Sequence, residues 1–235
     1  MTTISARLQA VHARIDAAAL RYARPRDASD SIALLAVSKT WPASAVREAF
    51  AAGQRLFGEN YVQECLEKAD ALAELRAQGL QWHFIGPLQS NKTRRIAETC
   101  DWVHSIDRLK IAERLSEQRP PALPPLQVCL QVNVSGEDTK SGVAPSDVAA
   151  LARAVAQLPR LQLRGLMAIP APTDDFAQQR ESFARLRACR EQLDAVGLPL
   201  DTLSMGMSDD LEAAIAEGAT VVRVGSAIFG ERHKL

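Results

Sequence analysis

Long apolar runs are missing from this chain. None approaches the ~18 residues that would mark a membrane span, so no transmembrane helix is expected. The segment Met1-Thr2-Thr3-Ile4-Ser5-Ala6-Arg7 lacks a hydrophobic signal core, and no export signal is expected there. Surplus charge is missing too. Lysine and arginine together number 28, as do aspartate and glutamate, which leaves no electrostatic footprint for nucleic acid or an anionic membrane. Cysteine is sparse: Cys65, Cys100, Cys129 and Cys189 stand far apart, with no Cys-x-x-Cys pair and no Cys/His cluster at zinc-ligand spacing. Scattered thiols suit a reducing cytoplasm, where each serves as a small buried apolar residue. There is no internal repeat, no low-complexity stretch and no shift in composition, so residues 1–235 read as one domain.

What the chain does have is alternation. Eight short apolar runs read as strands: 32–38, 55–58, 82–86, 102–105, 126–134, 162–169, 202–205 and 220–225. Amphipathic stretches at 43–52, 61–78, 90–98, 108–117, 145–157, 175–196 and 208–217 follow the first seven, 226–235 follows the last, and a further helix at 3–23 precedes the first. Gly53, Gly79, Gly197 and Gly218 each stand just past a helical stretch, where a left-handed residue closes a helix. Strands alternating with helices imply a parallel sheet covered by helices. Eight such units favour a closed (β/α)8 TIM-type barrel with an extra N-terminal helix. The alternative is an open doubly wound sheet. That fold usually carries a G-x-G-x-x-G or P-loop after its first strand, and neither is found here.

In such a barrel the C-terminal strand ends share one mouth, where chemistry is placed. The first strand ends in Lys39, and a lysine is seldom taken out of water unless paired or used. An amine held at that mouth can attack a carbonyl and form a Schiff base. After strand seven, Ser204-Met205-Gly206-Met207-Ser208 offers close backbone approach and a hydroxyl, with Ser208 placed to cap the next helix. After strand eight, Gly225-Ser226 offers N–H groups and a second hydroxyl. Two loops of this kind can hold a phosphate. Asp209, Asp210 and Glu212 oppose that reading, because they would repel an anion unless they are turned away. Arg223 shares a strand face with Val221; if that face is interior, a permanent cation and donor stands near the mouth. His83 and His104 have no second ligand at metal spacing and read as structural.

Several long segments resemble the pyridoxal phosphate homeostasis proteins, also called the proline synthase co-transcribed family. They are Val37-Ser38-Lys39-Thr40, Phe57-Gly58-Glu59-Asn60-Tyr61, His83-Phe84-Ile85-Gly86-Pro87-Leu88-Gln89-Ser90-Asn91-Lys92, Ser204-Met205-Gly206-Met207-Ser208-Asp209-Asp210 and Arg223-Val224-Gly225-Ser226-Ala227-Ile228-Phe229-Gly230. The resemblance spans about Ile32 to Gly230 and implies a barrel like the N-terminal domain of alanine racemase. It implies pyridoxal 5′-phosphate (PLP) as a Lys39 aldimine. Ser208, Gly225 and Ser226 would hold the phosphate, Arg223 would meet the pyridine nitrogen, and Asn60 would lie beside the cofactor. Ser226 replaces a threonine common in relatives and keeps the hydroxyl.

The resemblance also implies cofactor buffering and delivery rather than turnover. Related racemases add a C-terminal β domain that this chain is too short to contain, and an arginine on the ring nitrogen weakens the ring as an electron sink. The expectation is a cytoplasmic monomer whose partners are PLP and apo forms of PLP-dependent enzymes, with no nucleic acid or membrane. Lys140, on the loop after strand five, is a candidate second amine for passing the cofactor on. The residues taken alone leave open three rivals: a PLP-dependent racemase-type enzyme, a Schiff-base aldolase acting on a sugar phosphate, and a pure interaction protein that binds no small phosphate.

Overall fold

The computed structural model describes residues 3–23, 32–137 and 141–230. Helix α1 (Ile4–Arg21) precedes β1 (Ala33–Val37), α2 (Ala43–Ala51), β2 (Leu56–Glu59), α3 (Val62–Ala71), α4 (Ala73–Arg76) and β3 (Gln81–Phe84). Then come α5 (Thr93–Thr99), β4 (Trp102–Ile106), α6 (Leu109–Gln118), β5 (Leu126–Gln131), α7 (Val148–Ala156) and β6 (Leu161–Met167). The chain closes with α8 (Phe176–Ala195), β7 (Thr202–Ser204), α9 (Leu211–Ala216), β8 (Val221–Val224) and the single turn α10 (Ser226–Phe229). The eight strands pair in sequence order and β8 returns to β1, giving a closed parallel barrel. The expected (β/α)8 architecture and the additional N-terminal helix are both present.

Alternation along the strands sets two environments. Leu34, Ala36, Phe57, Trp82, Val222 and Val224 face outward into the shell between sheet and helices, part of one large apolar cluster. Leu35, Val37, Ile85 and Val221 form a separate small cluster inside the barrel. All four cysteines are buried thiols, as expected. Gly53, Gly79, Gly197 and Gly218 all have positive φ at helix ends, also as expected. Two helix expectations need correction. The stretch 61–78 breaks at Leu72 (φ −123°), and both Leu72 and Leu75 turn into the core. The stretch 208–217 is helical only from Leu211 to Ala216, because Met207 to Asp210 form a loop.

Polar groups fill much of the barrel interior. Arg223 Nη1 donates to Ser204 Oγ at 2.9 Å, and His104 Nδ1 lies 2.8 Å from the same oxygen. His104 Nε2 is 2.9 Å from His83 Nδ1. Because β4 and β7 are not neighbours, the Ser204–His104 link crosses the lumen. Arginine can only donate, so Ser204 Oγ accepts from it, and the hydroxyl can still either donate to or accept from His104 Nδ1. His83 Nε2 is buried with no partner. Both rings are neutral at pH 7, because burial disfavours the charged form. Burial pushes His83 down to about 3, and burial together with the neighbouring His83 and Arg223 holds His104 well below its usual value. The indole of Trp102 stacks flat on His83 with centroids 5.4 Å apart, and the Arg164 guanidinium lies over the Trp102 ring, 5.2 Å from its centroid.

Two outcomes follow from this packing. A methyl group on Gly165 would come within 1.8 Å of the Thr202 carbonyl oxygen, where β6 passes β7 after the register shift at Val128/Cys129. Gly165→Ala is expected to destabilise the fold by about 3 kcal/mol. Gly53→Ala, strained at φ +102° but in open space, should cost about 1 kcal/mol; urea denaturation of both variants checks the order. The second outcome concerns pH. Between pH 6.5 and 3 the unfolded chain protonates His83 while the folded protein refuses the proton, so stability falls as pH falls. The loss at pH 5 is about 2 kcal/mol. His83→Gln should reduce the dependence of the unfolding midpoint between pH 7 and pH 5, leaving the part that His104 contributes, and an unchanged slope would count against this assignment.

Candidate functional site

Lys39 leaves β1 one residue past the buried Ser38 and stands half-buried at the rim. Register places β8 directly beside it: Leu35 pairs with Arg223 and Ala36 with Val224. Gly225 follows at the end of β8, where an added methyl would sit 3.0 Å from the Val37 carbonyl oxygen, so glycine permits the close approach of the two strand ends. Ser226 opens α10 immediately after. From the neighbouring β7 end, the Ser208 hydroxyl reaches within 3.4 Å of the Ser226 hydroxyl. Asn60 arrives from the β2 end.

All six sequence-predicted residues, Lys39, Asn60, Ser208, Arg223, Gly225 and Ser226, line one cavity of about 290 Å³. Arg223 does face the interior. Its Nη2 donates to the Ala168 carbonyl at 2.8 Å, and its Nη1 donates to both the carbonyl and the hydroxyl of Ser204. Burial pushes the guanidinium down to about 10, with Asp210 opposing, so it stays charged at neutral pH. Asn60 Oδ1 is buried at the cavity and has no partner.

One expected role is overturned. Ser208 does not cap a helix, because α9 starts three residues later at Leu211 and Asp210 occupies the capping position. The Ser208 hydroxyl is thereby left to the cavity. The acidic residues that threatened an anion site are largely turned elsewhere. Asp210 accepts the Met207 N–H at 2.5 Å, and burial raises its carboxyl above the usual range. Glu212 is held by Arg14 of α1, whose Nη2 also donates to the Ser208 carbonyl at 3.1 Å. Asp209 still lines the cavity. Lys140 lies outside the described residues.

Sequence reasoning missed a second lysine. Lys68 is 6% exposed and donates to the Ser38 carbonyl and to Glu59 Oε1, each at 2.7 Å. Glu59 is fully buried; burial drives its carboxyl upward, while Lys68 and the Ser38 hydroxyl, 2.6 Å away, pull it back. The signal was present in α3. Cys65, Lys68, Ala69 and Leu72 fall on one helical stripe, and a charge on a core-facing stripe demands a partner. Among the described residues no cluster of His, Cys, Asp and Glu could hold a metal, and no helix is long and apolar enough to cross a membrane.

A family model described as alanine racemase, N-terminal domain, matches residues 14–233. The pyridoxal phosphate homeostasis protein of Pseudomonas aeruginosa is 65% identical over 232 residues, covering 99% of this chain and 97% of that protein. Its namesake in Escherichia coli K12 is 55% identical over 232 residues, covering 99% and 98%. The solved structure of PipY from Synechococcus elongatus with PLP bound superposes with a TM-score of 0.80 at 41% identity, covering 97% of this chain and 100% of that one. With that coverage and identity, the chain belongs to the family of the alanine racemase N-terminal domain, among the pyridoxal phosphate homeostasis proteins that its own motifs resemble.

Proposed function

We propose that this protein binds pyridoxal 5′-phosphate through a Schiff base on Lys39 and holds it in reserve for other proteins. One observation carries the reading: a primary amine, a buried guanidinium and two adjacent hydroxyls converge on a single cavity from the first and the last two strands. When bound, the cofactor supplies an aldehyde that condenses reversibly with an amine and releases water. Lys39 provides that amine. Ser208, Gly225 and Ser226 hold the phosphate, and the pull of Arg14 on Glu212 removes a charge that would oppose it. Asn60, whose carbonyl oxygen is buried at the cavity without a partner, would lie beside the ring. The PLP-bound neighbour at 41% identity supports the same choice of ligand.

Arg223 argues for storage over turnover. It has no acceptor and remains charged, so a ring nitrogen facing it stays unprotonated. An unprotonated ring draws electrons weakly, and carbanion chemistry at an amino-acid α-carbon is correspondingly disfavoured. The names of the curated relatives support this reading. The cavity is lined from the strand ends of one closed barrel, which supports a single barrel domain. Buried thiols support a cytoplasmic setting, where apo forms of PLP-dependent enzymes are the natural recipients.

The test is the visible spectrum of the purified protein mixed with PLP, before and after borohydride. Wild type should show a Schiff-base band that borohydride removes with permanent attachment at Lys39. Lys39→Ala should show no band. A persisting band in that variant, or rapid α-proton exchange on common amino acids by the wild type, would overturn the proposal.

A further inference from the structure

The turn that carries Lys39 is held from outside the barrel. Ser38 to Trp41 form a hydrogen-bonded turn, with the Trp41 N–H donating to the Ser38 carbonyl at 3.0 Å. Lys39 is its second residue and Thr40 its third, at φ +68°. Positive φ at the third position belongs to a type II turn, which normally places glycine or asparagine there. A β-branched threonine in that conformation is an outlier that needs support from its surroundings.

Helix α3 supplies the support on both sides. Glu64 Oε2 accepts the Thr40 N–H at 2.7 Å, and Lys68 Nζ donates to the Ser38 carbonyl at 2.7 Å. Lys39 is the single residue between these anchors. The two clamp residues are themselves joined, since Lys68 Nζ meets Glu64 Oε2 at 3.2 Å and Glu59 Oε1 at 2.7 Å. A buried ammonium persists only where its donors are satisfied, and here one of its three acceptors is the carbonyl beside the reactive residue. Neither Glu64 nor Lys68 lines the cavity, so neither touches the ligand.

We propose that Glu64 and Lys68 are positioning residues: they hold Thr40 in its left-handed conformation and so aim the Lys39 amine at the aldehyde carbon. The inference rests on the PLP reading above. In the step they serve, the Lys39 Nζ lone pair adds to the carbonyl carbon, the carbonyl oxygen leaves as water, and a carbon–nitrogen double bond remains. A correctly directed amine favours that condensation over the free aldehyde. The clamp has no part in holding phosphate or ring, so its loss acts on the covalent link alone.

The experiment compares the dissociation constants of PLP and of pyridoxamine 5′-phosphate, which keeps ring and phosphate but has no aldehyde. Glu64→Ala should weaken PLP binding about tenfold and leave pyridoxamine 5′-phosphate binding unchanged. Adding Thr40→Gly, which adopts the turn without a clamp, should recover most of the loss. Lys68→Met combined with Glu59→Gln, which leaves no fully buried carboxylate unpaired and keeps Glu64 on the Thr40 N–H, should show the same selective loss. If Glu64→Ala weakens both ligands equally, or neither, the positioning role is overturned. If the wild type binds neither ligand, it is the PLP reading that fails.

Discussion

Four residues of β1 pair in parallel with four of β8, from Ala33 with Val221 to Ala36 with Val224. This closing seam joins the two ends of the sheet, and the candidate site straddles it. Lys39 comes from one side; Arg223, Gly225 and Ser226 come from the other. The remaining strands bring no catalytic-type cation to the cavity among the described residues, but they set the circumference that lets the seam close. The site therefore cannot exist in a fragment. It is a property of the completed barrel, and it forms only when residues nearly two hundred positions apart are in register.

Closure also explains how a guanidinium can be buried there. At the C-terminal end of a barrel, strand carbonyls run out of neighbours to accept from. Arg223 uses the carbonyls of Ala168 and Ser204, at the ends of β6 and β7, together with the Ser204 hydroxyl. Those fixed dipoles replace the lost water and keep the side chain in one orientation. The consequence passes inward, because Arg223, Ser204, His104 and His83 form one connected polar chain across the lumen. Two neutral histidines fill space that bulky aliphatic side chains commonly occupy in such barrels. Neutrality is required here, since a second cation beside Arg223 would have no compensating carboxylate in the chain of contacts described.

The barrel was legible because its signals are repeated and local. Eight apolar runs, helices between them and four glycines at helix ends all point to one topology. The six cavity residues were legible because each sits at a strand end, where the fold alone predicts convergence, and because they lie within long motifs. Less legible were the features that depend on which way a side chain turns. Ser208 has the residue type of a helix cap, yet the loop runs on to Leu211 and Asp210 binds the Met207 N–H instead. The inward face of Arg223 could be stated only as a condition, because a one-residue register slip reverses every side chain. Lys68 was less legible because a single basic residue in an amphipathic helix has the residue type of a solvated face, and only its place on the stripe of Cys65, Ala69 and Leu72 marks it as buried.

Lys39 and Lys68 show how the same side chain is given opposite duties. Lys68 is enclosed by Glu59, Glu64 and a backbone carbonyl, as the cation of two ion pairs. An amine engaged in that way is committed to its three acceptors. Lys39, the residue after Ser38, lies on the cavity side, with an arginine and hydroxyls suited to a phosphate lining the same cavity. Reactivity thus follows from the company each amine keeps and not from lysine as such. Lys68 fixes the carbonyl of the residue before Lys39, so the two lysines are coupled through a single peptide unit. On the proposed reading, that unit aims the attacking amine through the backbone, and the aim needs no further side chain in contact with the ligand.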